Sequence, residues 1–414
     1  TMLFMYNTHR IVLCLFASAL LSTKVQKGAR HASDQVLRMH SGGSQSNAHV
    51  PVPFCSIVQN GGNVTSVTVT VMIAMVYTWL TKLIPAFSRS ATFHWFCTFI
   101  IALMLQKKPQ GTVQSLVNTL SMSEAYYSNF DDMFRSDGID LDMLTDLWVD
   151  LVLKENDVTK VNGRSIVVSD SVKQSKEGRK MPGVKRLHTE SATQSKPSSF
   201  HGIHAGAMVI LTNSTQNQKE VLSVPMEIRL MDGLDPIAAW ENTPNPYANE
   251  PLELQSLHRL EHYIPQIGDT YFVADRASMS QRLFAECADI SKRTGHKVDL
   301  ITNAKSNVVA YTEPEYCGRG RRPIRGKKIH LTNLFTDHIA EFTTKRLYLY
   351  GQRQTVRYLC IDLQWRTKNP VKLRFVLCRM EDGRRIILAC SDLSMDPVTI
   401  IRLYGYRFGT IEED

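Results

Sequence analysis

Two short apolar runs each stop on an aspartate, RSIVVSD at 164–170 and TYFVAD at 270–275. That pattern constrains the fold of this chain more than any other. A brief unbroken apolar run reads as a buried strand, and strands set between helical segments predict an α/β core. Three further strands are expected: one beginning at His204 (HAGAMVILT), one alternating over 221–230 (VLSVPMEIRL), and KVDLIT over 297–302. Met279 to Lys292 has the pattern of an amphipathic helix laid on that sheet. With 414 residues, 43% hydrophobic and 21% charged, the chain is neither disordered nor fibrous, and it is long enough for two or three domains.

Different patterns flank this core, taken as 161–304. Residues 71–160 form a helical domain: from about Thr78 to Lys154 apolar residues recur at helical spacing, as in Leu144, Leu147, Trp148 and Leu151, between breakers at Pro85, Pro109 and Gly138. Residues 305–393 change to β signals (RLYLYG, VRYLCIDLQW, VKLRFVLC, RRIILAC), with Glu381-Asp382-Gly383 suited to a tight hairpin. In 394–414, Asp396 and Pro397 open a last helix as N-cap and first residue. Residues 1–70 read as a disordered or signal-like leader; Ile11–Leu21 has the length of a signal-peptide core, the sole feature favouring a secreted or anchored protein. Val67 to Pro85 nearly reaches spanning length, but its β-branched start, Lys82 and closing Pro favour a buried soluble element, so no membrane association is expected.

Forty-eight Lys+Arg against 39 Asp+Glu leave a net charge of +9, which makes an acidic partner plausible without identifying it. The cysteines at 14, 55, 97, 287, 317, 360, 378 and 390 contain no CxxC pair and no zinc spacing, and predict buried thiols in a reducing cytoplasm. His188, His201 and His204 fall across a loop and a strand and read better as surface or core histidines than as a metal cluster.

Asp170 and Asp275 lie 105 residues apart. A carboxylate at the tip of a buried strand is rigidly placed, and two on adjacent strands can jointly hold hard cations such as Mg2+ for an in-line phosphoryl displacement. Spacing alone favours the simpler alternative, in which each Asp ends its strand or caps the next segment.

Three longer strings decide between these readings: VVSDSVKQSKEGRKMPGVKRLHTESATQSKPSSFHG, TYFVADRASMS and DLSMDPVTIIRLYGYRF. They resemble blocks of bacterial insertion-sequence transposases of the DDE superfamily, in the insertion-sequence-four group, and the resemblance runs from about Tyr77 to Phe408. It implies a ribonuclease-H-like mixed sheet with flanking helices, a β-rich insertion before the last catalytic helix, and an N-terminal helical domain able to bind element ends. It also implies DNA strand cleavage and strand transfer with two Mg2+ ions, which Mn2+ can replace. The implied partners are double-stranded DNA, as terminal repeats and target, and a second copy of the chain on paired ends, in a cytoplasmic, nucleoid-associated setting.

By the same resemblance Asp170 and Asp275 are the first two members of a metal-binding acidic triad, and Tyr404 and Arg407 contact the element's end. The third acid is expected four residues after Arg407, where this chain has Ile411; Glu412, the nearest candidate, stands one residue late. On a helix that is a rotation of about 100° away from the face of Tyr404 and Arg407. The family's later Lys has no counterpart before Asp414. The last helix is therefore expected to be a truncated or frameshifted copy, and a degenerate relic that binds DNA without cutting it is the alternative. DNA contacts are expected from Lys173, Lys176, Arg179, Lys180, Lys185 and Arg186 after Asp170, and from Arg319, Arg321, Arg322, Arg325, Lys327 and Lys328.

Overall fold

The computed structural model describes residue 74 and residues 76–106, 112–176, 178, 181–189, 197–213, 221–316, 318, 323–349, 351–366 and 369–410. The leader 1–70, Arg179, Lys180, Arg319, Arg321, Arg322 and Glu412 lie outside the described residues. Among the described residues no helix is long and apolar enough to cross a membrane. The chain divides into two compact units.

The first unit joins the described residues up to Asp157 to the segment Thr212–Arg229. Its main helices are α1 (Ser90–Leu105), α2 (Val113–Thr119), α3 (Tyr127–Arg135) and α4 (Leu141–Glu155). Thr112 and Asp140 start α2 and α4 by accepting from the backbone N–H three residues on, which satisfies donors that the helix itself leaves unpaired. Phe96, Phe99, Ile100, Phe130 and Phe134 form the centre of the core, with the rings of Phe99 and Phe134 edge to face at 5.0 Å. The indole of Trp148 donates to the Pro225 carbonyl at 2.8 Å and so ties the returning segment to α4.

The second unit, Val158–Leu211 with Leu230–Asp414, is mixed α/β. Numbering every strand of the chain in order, the strands are β1 (Lys160–Val161), β2 (Arg164–Ser175), β3 (Lys185–His188), β4 (Ser199–Asn213), β5 (Val221–Leu230, mostly in the first unit), β6 (Thr270–Val273) and β7 (Val298–Asn303). There follow β8 (Val309–Tyr311), β9 (Lys328–His330), β10 (Thr343–Leu349), β11 (Gln352–Trp365), β12 (Val371–Arg379) and β13 (Arg385–Cys390). The helices are α5 (Leu234–Glu241), α6 (Leu252–Ile267), α7 (Gln281–Thr294), α8 (Leu334–Asp337) and α9 (Pro397–Thr410). Across the sheet the order is β3-β4-β2-β6-β7-β13-β12-β11-β8-β9, with β1 on β2 and β10 on β11.

At the centre, β2, β6 and β7 are parallel, and β4 runs antiparallel on the other side of β2. Ile166, Val167, Val168, Tyr271, Phe272 and Val273 are essentially inaccessible, as unbroken apolar runs of a parallel sheet should be. The β-rich segment does not form a separate body: β13 pairs with β7 and extends the central sheet. α9 then returns across β2, β6, β7, β13, β12 and β10. Asp396 caps it by accepting from the Thr399 N–H at 2.9 Å. Gly405 lets it approach β10 closely, because a Cβ there would stand 3.0 Å from Leu349 Cδ2.

Three local differences from the sequence expectations have simple causes. β2 continues through Ser175 because β4 pairs with it as far as Ser175↔Gly202, so Lys173 lies on a strand and not in a loop. Lys185 and Arg186 are likewise on a strand, β3, which pairs with β4. Helix α6, which the strand-centred reading overlooked, buries Leu254, Leu257, Leu260, Tyr263 and Ile264.

Candidate active site

The register of the central strands brings the two aspartates together. β2 and β6 pair as Val168↔Val273, an offset of 105 residues, and β6 and β7 pair as Val273↔Ile301, an offset of 28. Carried two residues past these last pairs, the same offsets set Asp170 against Asp275 and Asp275 against Asn303, with Asp275 already beyond β6. The ladder carries on past β6, for the Ala274 N–H donates to the Ile301 carbonyl at 3.0 Å. Asp275 and Asn303 thus lie at the carboxyl ends of β6 and β7, the customary position of sites on open α/β sheets, while Asp170 lies within the longer β2.

The contacts show a capping role for Asp275 and an ion pair for Asp170. Asp275 does cap the segment after its strand, its carboxylate accepting from the Ala277 N–H, while its carbonyl accepts from the Thr302 hydroxyl. Asp170 accepts from the Ser171 N–H at 2.8 Å and forms an ion pair with Arg407. This pair is enclosed, with side chains 11% and 9% exposed, so each charge depends on the other.

Arg407 comes from α9, and Tyr404 lies one turn before it. Tyr404 is buried, its ring centroid 5.7 Å from the Arg407 guanidinium carbon, and its phenol interacts with the side chains of Asn303 and Arg407. Burial raises the phenol pKa above its ordinary value; Arg407 and Asn303 oppose the rise, and the charge of Asp275 adds to it. The last helix therefore closes over the strand ends and places a cation and a phenol against these polar groups. Glu412, expected as the third acid, lies outside the described residues.

Opposite ends of the same strands are fastened by a second buried network. Tyr271 donates to Asp392 at 2.8 Å, and Arg164 forms an ion pair with Asp299 and lies 3.7 Å from Asp392. Burial tends to raise the Asp392 pKa, but the Ser394 and Tyr271 hydroxyls, the Ser394 N–H and Arg164 more than offset it and hold the carboxyl below its ordinary value. Because Asp392 lies between β13 and α9, the network fixes where the last helix begins.

The basic residues singled out from sequence behave differently from one another. Lys185 forms an ion pair with Asp232, Arg186 donates to Ser199 at 2.7 Å, and Lys173 reaches the His188 carbonyl at 3.4 Å. Arg325 lies over the Tyr311 ring at 5.2 Å, and Lys327 and Lys328 are exposed. His201 and His204 lie three apart on β4, so their side chains leave opposite faces of that strand, and His204 is buried 3.7 Å from Asp232. Among the described residues no group of three or more His, Cys, Asp and Glu is arranged to hold a metal.

Compared with known proteins, the chain matches no protein-family model and no curated protein. Its chemistry is therefore argued from its own residues. Sequence reasoning missed Asn303, Thr302 and the Tyr271–Asp392–Arg164 network. Asn303 carried a readable signal: VDLITN, like the two aspartate runs, is an apolar strand that ends on a polar side chain.

Proposed function

We propose that this chain is a DDE-type transposase, a metal-dependent polynucleotidyl transferase that cuts DNA strands at the ends of an insertion element and joins them to a target. One observation carries the reading: the adjacent parallel strands β2 and β6 lead to Asp170 and Asp275, and the final helix sets Arg407 against Asp170 and Tyr404 within reach of the Asp275 charge. The strand arrangement supports it too. An antiparallel β4–β2 pair followed by parallel β6 and β7, then an antiparallel extension and a closing helix, is the layout expected of a ribonuclease-H-like core with a β-rich insertion.

The donors at the strand ends are carboxylate, amide and phenol oxygens, a set that suits a hard divalent cation and not a thiolate-seeking metal. Asp170 and Asp275 would hold Mg2+ or Mn2+, with Glu412 the acid nearest in sequence to complete the set. A bound ion supplies charge neutralisation at the phosphoryl oxygens and a more acidic water. The chain's own groups do the positioning. Asn303 and Tyr404 would set the rim of the site, and Arg407 would hold the Asp170 carboxylate in place. Double-stranded DNA is the partner on this reading, handled in the cytoplasm.

A cleavage assay tests it, on duplexes from the regions flanking the gene, with Mg2+ or Mn2+. Wild-type protein should nick or cut the duplex, and Asp170→Asn or Asp275→Asn should lower the rate by on the order of 10²–10³-fold or more, with DNA binding retained in Asp275→Asn and the folding of Asp170→Asn, which strands Arg407, checked by its melting curve. Metal-independent cutting, or cutting indifferent to both substitutions, would sink the proposal.

A second reading is supported by the position four residues after Arg407, which holds Ile411, and by Arg407 itself, which already neutralises Asp170. On that reading the protein is a transposase-derived DNA-binding protein without catalysis. Binding with no cleavage in either metal would favour it.

A further inference from the structure

The antiparallel extension carries five arginines on one face, and the register shows how they are grouped. β10 pairs with β11 as Arg346↔Thr355 and Tyr348↔Arg353, and β11 pairs with β12 as Arg357↔Arg379. β12 pairs with β13 as Arg379↔Arg385. Directly opposed residues share a face, as do alternate residues along one strand. Arg346, Tyr348, Arg353, Arg357, Arg379 and Arg385 therefore rise from the same side of four strands. Leu347, Leu349 and Val356, on the other side, are buried.

Arg357, Arg379 and Arg385 form one continuous cross-strand row, in which like charges stand directly opposite each other, an unfavourable arrangement in a sheet. None of the five arginines is in an ion pair with a described residue. Arg357 donates to the Ile339 carbonyl at 3.3 Å, and Arg385 lies over the Phe335 ring at 5.4 Å. The carboxylates of the β12–β13 hairpin turn are already engaged: Glu381 accepts from the Thr355 N–H at 2.9 Å, and Asp382 pairs with Arg384. Elsewhere on the extension a surface cation does find an acid, as Lys372 does in Glu313. Beside the arginines Tyr348 is 68% exposed, directly opposite Arg353.

We propose that this face binds a single strand of nucleic acid, its phosphates along the arginines and one base stacked on Tyr348. A row of guanidinium groups left unneutralised matches a repeating anion, and an exposed aromatic at its edge suits an unpaired base. The inference does not depend on the chemistry at Asp170 and Asp275, because the two sites share no residue.

The test is fluorescence anisotropy of labelled oligothymidylate and of a labelled duplex against full-length protein over a range of salt. Arg353→Glu with Arg379→Glu should weaken oligothymidylate binding by on the order of tenfold or more and flatten the salt dependence by the share of about two phosphate contacts. Tyr348→Ala should weaken the single strand by on the order of tenfold and the duplex far less. Cleavage and strand binding are read separately: wild-type protein that binds oligothymidylate through Arg353, Arg379 and Tyr348 but cuts no duplex fails the cleavage reading alone. Should the charge reversals not fold, Arg353→Gln with Arg379→Gln replaces them, removing the two charges without introducing opposite ones. Unchanged affinity and slope in these variants would overturn the proposal. So would equal losses on strand and duplex in Tyr348→Ala, or loss of binding to phosphatidylserine vesicles without loss on the oligonucleotide.

Discussion

The second unit holds two sets of charges in opposite ways. Within β2 the carboxylate of Asp170 is enclosed and answered within the chain by Arg407. On the face of β10–β13 the arginines, grouped by strand register, form no ion pair with a described residue. An enclosed charge must be paired to exist at all, because taking it from water costs several kcal/mol, whereas a half-exposed one keeps much of its hydration and can wait for an outside partner. The difference separates what holds this fold together from what it offers to other molecules.

The sharpest way to break the comparison is at the enclosed pair. Arg407→Gln should cost about 3–5 kcal/mol, because it strands Asp170 in a site with little water. Asp170→Asn together with Arg407→Gln should recover most of that loss, since no charge is then left enclosed. Urea denaturation of the single and double variants measures the coupling directly. Additive losses would mean that the pair contributes nothing as a pair.

A smaller effect is expected at the other end of the same strands. Tyr271→Phe removes the hydroxyl that donates to Asp392 and should cost about 1–3 kcal/mol, the penalty for an acceptor left short of a donor in a buried network. The network also predicts a pH dependence. Asp392 is held below its ordinary value, so the unfolded chain binds a proton there before the folded chain does. Its contribution is complete above the ordinary carboxyl pKa of about 3.9 and is lost as pH falls through the lower folded value. Compared with wild type, Asp392→Asn should therefore be least stable in relative terms near neutrality, and the gap should narrow in acid. Melting curves from pH 7 down to pH 3 test this, and a gap that stays constant would remove Asp392 from the account.

These predictions rest on features of unequal visibility in the sequence. The apolar runs ending at Asp170 and Asp275 were legible because a strand buried on both faces leaves an uninterrupted hydrophobic string. The cap at Asp396 was legible because Asp followed by Pro is a local signal. The site itself was only half legible. Its two aspartates declare themselves, but that their strands lie side by side depends on pairing across more than a hundred residues. Asn303 enters for the same reason. The network of Arg164, Tyr271, Asp299 and Asp392 draws on four separate stretches of chain, and no short-range pattern announces such a meeting. The arginine face was hidden in a third way: Arg357, Arg379 and Arg385 are scattered singly among apolar residues, and only the antiparallel register gathers them. The basic run GRGRRPIRGKK caught attention because its charges are consecutive, which says nothing about whether they act together.

The smallest predicted effect sharpens the comparison from the exposed side. Arg379 stands between Arg357 and Arg385, opposed to both. Arg379→Thr removes the middle charge of the row and puts a good strand former in its place, so the protein should gain about 0.2–1 kcal/mol rather than lose it. The sign is what matters. Arginines retained for packing would make the substitution destabilising through the loss of the long side chain's contacts. A gain in the melting midpoint, together with weaker binding to the single strand, would mean that the sheet gives up stability at this position for a charge whose partner lies outside the chain.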